Sequence, residues 1–469
     1  MSSKSKLPVL LVAAMLLGLS SHALGAESGT VLPDTPAGKR IASFIAAFNA
    51  GPDQMRAWSS ANLSPSTLAS RPMDERMAMY QRMRSDMKTI ALASVRAASN
   101  DEIDIIVKTQ SNEFFEFDFH FDGTPDAFVT RTRVLTVESP NAGPAPQTSA
   151  KTLSDDALIA ALEPYLVQLV KNDSFSGVVL IAHGDRTIFE KTYGLASKEY
   201  AVPVAVDTMF NVGSISKLIT RIAIEQLVEQ RRLSYGDTIA RWLPDYPNTT
   251  AAKQITVQEL LDMTSGIGDA FGPQFAQAPK DRFRTLADYL PLFASKPLEF
   301  APGTDHRYSN GGYIVLGLIV ERVSGESYYE YAQKHVFEPA GMKHSGWFER
   351  DQVTRDVASG YTKRGSDAGG WRNNIYQGPA RGSSAGGGYS SAEDLLKLAR
   401  ALEQQRLLDA RDTQALLGDG LADAGGSPGC NAALEIEPTR GYVVVVLSNY
   451  DPPAAEGVAR KIREWLGPE

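Results

Sequence analysis

"FNVGSISKLITRI", Phe210 to Ile222, sets a turn-forming glycine and two serines between apolar residues and places a lysine three positions after Ser214. Leu218, Ile219, Ile222, Ile224 and Leu227 follow at helical spacing, which predicts a buried helix with Ser214 in its first turn. At that end of a helix, unpaired N–H groups and the positive end of the dipole favour negative charge on a nearby oxygen. The three-residue spacing also puts Lys217 on the face of Ser214. Two readings stay open on these residues alone. Ser214 is either a cap beside a solvated lysine, or a nucleophile activated by a lysine that burial has stripped of its proton.

Ser-x-x-Lys also occurs at Ser3 to Lys6 and at Ser85 to Lys88, so context has to choose. Only the third copy follows a glycine turn and precedes an apolar helix. Further along, "PGTDHRYSNGGYIVLGLIVERVSG" sets Tyr308-Ser309-Asn310 just ahead of another apolar helix, where tyrosine and amide can project from a loop into a cleft. A second Tyr-x-Asn, Tyr246-Pro247-Asn248, lies in a proline-broken turn and lacks the following Gly-Gly and helix.

The 469 residues imply two or three domains, and 43% hydrophobic content supplies ordinary buried cores. Lys and Arg total 47 against 55 Asp and Glu, a formal charge of -8, so the basic field that draws a chain onto phosphates is missing and nucleic acid is not an expected partner. Lys4 and Lys6 precede an apolar run from Leu7 to Leu19, followed by small residues. That run is shorter than the roughly 20 residues of a bilayer span, so residues 1–26 read as a cleaved export signal. The expected location is periplasmic or secreted, with no membrane attachment after cleavage. Cys430 is the only cysteine, which excludes an internal disulfide; with no histidine after His344, it also reads as structural.

Residues 27–138 predict a small α+β domain. Thr35 to Asn49 and Met73 to Met87 have helical patterns, and "FFEFDFHF" alternates Phe115, Phe117, Phe119 and Phe121 with Glu116, Asp118 and His120. Helices covering a one-sided sheet are similar to the cone-shaped sheet of the nuclear-transport-factor-like class. "SPNAGPAPQTSAK", residues 139–151, cannot bury itself and reads as a linker. Residues 152–469 begin with a helix over Leu158 to Val170 and a hairpin turning at His183-Gly184-Asp185-Arg186, and close with the buried strand "GYVVVVLSNYDPP" and a helix over Ala454 to Leu466. Strands at both ends with helices between predict an antiparallel sheet built from the two sequence ends, flanked by helices and joined to a helical subdomain.

From Leu153 to Leu466 the chain resembles the penicillin-recognising serine hydrolases, in particular the class C β-lactamase-like group of esterases, D-amino-acid peptidases and penicillin-binding proteins. The stretches that carry the resemblance are "FNVGSISK", "LLDMTSGI", "PGTDHRYSNGGY", "FEPAGM", "GGGYSSAEDLLKLARAL" and "GYVVVVLSN", in the family's order. It implies a β-lactamase/transpeptidase-like fold with Ser214 as nucleophile, Lys217 as base, Tyr308 sharing the proton and Asn310 orienting the substrate. The implied reaction is acyl transfer on a small-molecule or peptide ester or amide, with no metal and no organic cofactor. The oxyanion would rest on the N–H of Ser214 and one near Gly426, each such donor being worth roughly 3 kcal/mol of barrier.

The family's third element is a Lys or His, a variable residue and a Gly. Here the aligned stretch "DAGGSPGCN" offers Asp423-Ala424-Gly425, followed by Gly426. An aspartate repels a substrate carboxylate and raises the affinity of Lys217 for its proton, by up to roughly 4 kcal/mol at 4 Å and an effective dielectric of 20. The expected activity is therefore that of an esterase or peptidase rather than an efficient β-lactamase, with an impaired, ligand-binding relative as the alternative. Leu407 to Asp423 also reads as short, which predicts an incomplete cleft wall. His306 reads as a loop residue, and Ser390 with Glu393 as the capping box of a helix starting at Ala392.

Overall fold

Alternating phenylalanines and a proline-started helix build the first of two compact units, into which the chain divides at residues 1–146 and 147–469. The computed structural model describes residues 31–70, 73–99, 101–110, 114–137, 153–363 and 370–467. The expected export signal (1–26) and linker (139–151) lie outside them. Helix Pro36–Ala50 starts on Thr35, whose Oγ1 accepts the Gly38 N–H at 3.2 Å, with proline where no donor is needed. Helices Pro52–Asn62 and Met73–Met87 follow, then four strands, Ile90–Ala98, Glu102–Thr109, Phe114–Phe121 and Val129–Val137, paired antiparallel in sequence order. Phe117 and Phe119 are fully buried against Phe44, at ring distances of 5.5 and 5.1 Å. The opposite face is only partly wet: Glu116 is buried and paired to Arg96 at 2.9 Å.

In the second unit five antiparallel strands run in the spatial order Leu421–Ser427, Cys430–Glu437, Tyr442–Ser448, Gly177–His183, Arg186–Tyr193. The two sequence ends therefore share one sheet, as expected. Alternate residues face opposite layers. Val179, Ile181, Val444 and Val446 pack on helices Asp155–Lys171 and Ala454–Leu466. Val178, Leu180, Val443 and Val445 pack towards helices Ser216–Glu229, Asn310–Ser324 and Ala392–Glu403. Burial on both faces explains the unbroken valine run Val443 to Val446. Among the described residues no helix is long and apolar enough to cross a membrane.

Several expectations need correction. The edge strand is formed in spite of the short segment before it: Leu421–Ser427 pairs with its neighbour over all its residues. Ser390 and Glu393 form no capping box, because Ser390 belongs to the preceding strand; helix Ala392–Glu403 has a simple cap, Ser391, which accepts from the Asp394 N–H at 3.2 Å. His183, at the hairpin turn, bonds Asp155 at 2.9 Å and stacks on Tyr442 at 4.1 Å. Cys430 opens a strand, buried, with its thiol donating to the Asn211 carbonyl at 3.0 Å; burial pushes its pKa up to about 12.

Leu180 is 1% exposed in a strand of the central sheet. Leu180→Ala should lower stability in denaturant titration by about 2–5 kcal/mol; a loss below about 1 kcal/mol would contradict this packing.

Candidate active site

The approach to Ser214 begins with strand Phe210–Gly213, which joins Gly388–Ser390 and Ser345–Gly346 in a small sheet. Gly213 has φ +51, a conformation that side chains with a Cβ rarely adopt, and the chain turns there. The helix proper begins at Ser216, two residues later than expected, because the turn is tighter than an α-helix. The Lys217 N–H bonds the Ser214 carbonyl at 2.9 Å and the Leu218 N–H bonds that of Ile215 at 3.0 Å. In such three-residue turns side chains i and i+3 eclipse. That is why Ser214 and Lys217 touch: Nζ lies 3.3 Å from Oγ.

Lys217 is 6% exposed. Its Nζ donates to Asn310 Oδ1 at 2.7 Å and to the Ala385 carbonyl. Burial drives its pKa down from 10.5 to about 7, overcoming the opposite pull of Asp269 and Asp423. A neutral amine has two hydrogens and one lone pair. Asn310 Oδ1 and Ala385 O can only accept, so they take the two hydrogens, and the lone pair is left to face the Ser214 hydroxyl.

Tyr308 comes from the loop ahead of helix Asn310–Ser324. Its hydroxyl lies 2.6 Å from Ser214 Oγ, and its ring lies 4.6 Å from Lys217 Nζ. Burial pushes its pKa up, so the phenol keeps its proton and can pass one on; the residue as a whole is 47% exposed. Ser309 caps the helix through the Gly312 N–H at 2.9 Å, which aims Asn310 inward. His306 is exposed on the same loop, and Asn248 of the second Tyr-x-Asn merely caps helix Thr249–Gln254.

Edge strand Leu421–Ser427 closes the other side. A Cβ on Gly425 would lie 2.0 Å from the Val212 carbonyl oxygen and 2.8 Å from Ser214 N, and one on Gly213 would lie 2.8 Å from Gly426 N. Two bare glycines thus let the edge strand lie against the Gly213–Ser214 turn, with the Ser214 nitrogen beside Gly425 and the Gly426 nitrogen beside Gly213. Asp423 lies two residues before Gly425, hence on the same strand face. Its charge acts on Lys217 and Tyr308, and burial raises its own pKa while Arg221 and Lys217 lower it. The structure therefore gathers Ser214, Lys217, Tyr308, Asn310, Asp423, Gly425 and Gly426 around one cleft.

Sequence reasoning missed two participants. Asp269 Oδ1 accepts from Asn310 Nδ2 at 3.0 Å and so fixes which end of the amide faces Lys217. Its signal was its place after "TSGIG". The Ala385 carbonyl has no side-chain signature at all; only the glycine run beside it marked a close approach.

The family model described as Beta-lactamase matches residues 162–467. A penicillin-binding protein from Bacillus halodurans superposes with a TM-score of 0.58 at 33% identity, over 63% of this chain and 98% of that one. The D-amino acid amidase from Ochrobactrum anthropi SV3 gives a TM-score of 0.58 at 20% identity, over 66% of this chain and 97% of that one, a likeness of fold. Penicillin-binding protein 4* of Bacillus subtilis is 31% identical over 40% of this chain, which spans 42% of that relative's length. The teichoic acid D-alanine hydrolase of Staphylococcus aureus is 24% identical over 56% of this chain and 62% of its own length.

Gly425→Ala should destabilise the protein by about 1–3 kcal/mol as its methyl group pushes on Val212. Gly457→Ala, within helix Ala454–Leu466 where a Cβ meets nothing within 4 Å, should instead stabilise by about 0.5–1 kcal/mol. Equal denaturation midpoints for the two variants would contradict the close approach at Gly425.

Proposed function

The chain belongs to the Beta-lactamase family of serine hydrolases, and from that premise we propose that it is an exported enzyme cleaving a small ester or amide through an acyl-enzyme on Ser214. One observation carries this reading: the Ser214 hydroxyl lies between an amine with pKa about 7 and a protonated phenol. In the proposed sequence the lone pair of Lys217 takes the Ser214 proton as Oγ attacks the carbonyl carbon. The N–H groups of Ser214 and Gly426 hold the oxyanion, and Tyr308 gives its proton to the departing alcohol or amine, recovering it through Lys217. Water then attacks the ester along the same route in reverse. Asn310 holds both Lys217 and, on the cleft side, the acyl group.

Esterase or amidase action is favoured over efficient β-lactam hydrolysis because Asp423 places negative charge where a β-lactam would bring its carboxylate. The relatives named as a D-amino acid amidase and a teichoic acid D-alanine hydrolase support the same class of substrate. Asp423 also supports a second reading, a cleft that binds ligand without turnover, since its charge stabilises the inactive ammonium form of Lys217.

A fluorophosphonate should label the intact protein and not Ser214→Ala; no adduct on the intact protein would favour the binding-only reading. The labelling rate should fall as pH drops below about 7, because protonation removes the lone pair of Lys217. In Asp423→Asn the loss of a charge that favours the ammonium should move that inflection to lower pH. An inflection that stays put or rises would remove Asp423 from the neighbourhood of the base.

A further inference from the structure

Lys217 and Tyr308 feel the same two carboxylates, Asp269 and Asp423. Asp269 is partly satisfied, since its Oδ1 receives the Asn310 amide and the Phe271 N–H, each at 3.0 Å. Asp423 makes neither a hydrogen bond nor an ion pair within the described residues. Arg221, one turn beyond Lys217 on the same helix, is the stronger of the two cations acting on Asp423 but forms no ion pair with it, and its own buried Nε also lacks a partner. Lys217 must be neutral to serve as base, so in that state Arg221 is left to act against the charge of Asp423. In the state that reacts, two carboxylates therefore act on the Ser214 site against the one guanidinium of Arg221.

A half-buried carboxylate without a partner is costly, and a ligand cation placed against it recovers that cost. Strand geometry sets the reach. Asp423 lies two residues, about 7 Å, along the edge strand from Gly425, which itself touches the Ser214 amide. A group attached close to the reacting carbonyl can span that distance. A substrate carboxylate would add a third negative charge to the same space.

We infer that the cleft selects an acyl donor bearing a free ammonium group, an aminoacyl ester or amide, and that Asp423 is the specificity-determining residue that holds it. This rests on the acyl-transfer reading above and names its substrate class. The inverted charge of the third motif is then a change of specificity rather than a loss of function.

The test uses three boronic acids that add to a serine hydroxyl: 1-aminoethylboronic acid, its N-acetyl derivative and its N-succinyl derivative, with binding to the full chain measured by calorimetry. The free amine should bind at least tenfold tighter than the N-acetyl compound, and the succinyl compound weakest of all. Asp423→Asn should erase the preference for the amine, and Asp423→Lys should reverse the order in favour of the succinyl compound. Ratios within each variant cancel any common change in Lys217. Equal binding of amine and N-acetyl compounds by the intact protein, or tightest binding of the succinyl compound, would overturn the inference. Turnover of p-nitrophenyl butyrate and of D- and L-alanine p-nitroanilide, which carry the free ammonium, is followed in parallel. Turnover without amine preference defeats this inference alone, whereas amine preference without turnover defeats the hydrolase reading and leaves the selectivity standing.

Discussion

The site depends on how one amine is buried. Lys217 is enclosed by the start of its own helix, by the Asn310 amide and by the Ala385 carbonyl, and none of these is a formal anion in contact with it. Desolvation therefore outweighs the two carboxylates that act from further away, and about half of the amine is uncharged at pH 7. Carbonyl acceptors make this possible where carboxylates would not, because they hold the amine by its hydrogens without demanding its charge. The same arrangement leaves a lone pair directed at Ser214. Nucleophile, base and orientation thus follow from a single choice of neighbours.

The rest of the second unit serves the approach of two backbones. Edge strand Leu421–Ser427 lies against the Gly213–Ser214 turn so closely that Gly425 has no room for a side chain. That contact needs a rigid edge, and the sheet supplies it by pairing the strand along its full length and burying the valine-rich strand behind it on both faces. Asp423 is carried on this edge. Its charge bears on what enters the cleft and on the proton of Lys217, so specificity and basicity are coupled through one residue.

Much of this was legible in the sequence because it is written in local patterns. The alternation of Phe115 to Phe121, the helical spacing after Ser214 and the apolar run after Asn310 each state an element and a face. The order of the six family stretches then states the fold. What could not be read has physical reasons. "LADAGGS" has no β-branched residue, so its strand comes from edge pairing rather than propensity, and the wall looked incomplete. Ser214 sits before the helix rather than in it, because hydrogen bonds of the three-residue kind do not alter apolar spacing. Ala385 acts through its backbone, and Asp269 through an amide that lies 41 residues away. Asp423 was legible as a departure. Its consequence for Lys217 was not, since burial decides the sign of the balance and burial is a property of the folded chain.

The central claim is that burial lowers the Lys217 pKa to about 7, so that about half of the amine is uncharged at neutral pH in the resting protein. It is tested most directly by NMR titration of protein labelled with 13C at lysine Cε, with the Lys217 resonance assigned by its loss in Lys217→Arg. The account predicts a midpoint near 7 for that resonance, and a midpoint at the ordinary lysine value of 10.5 would contradict it.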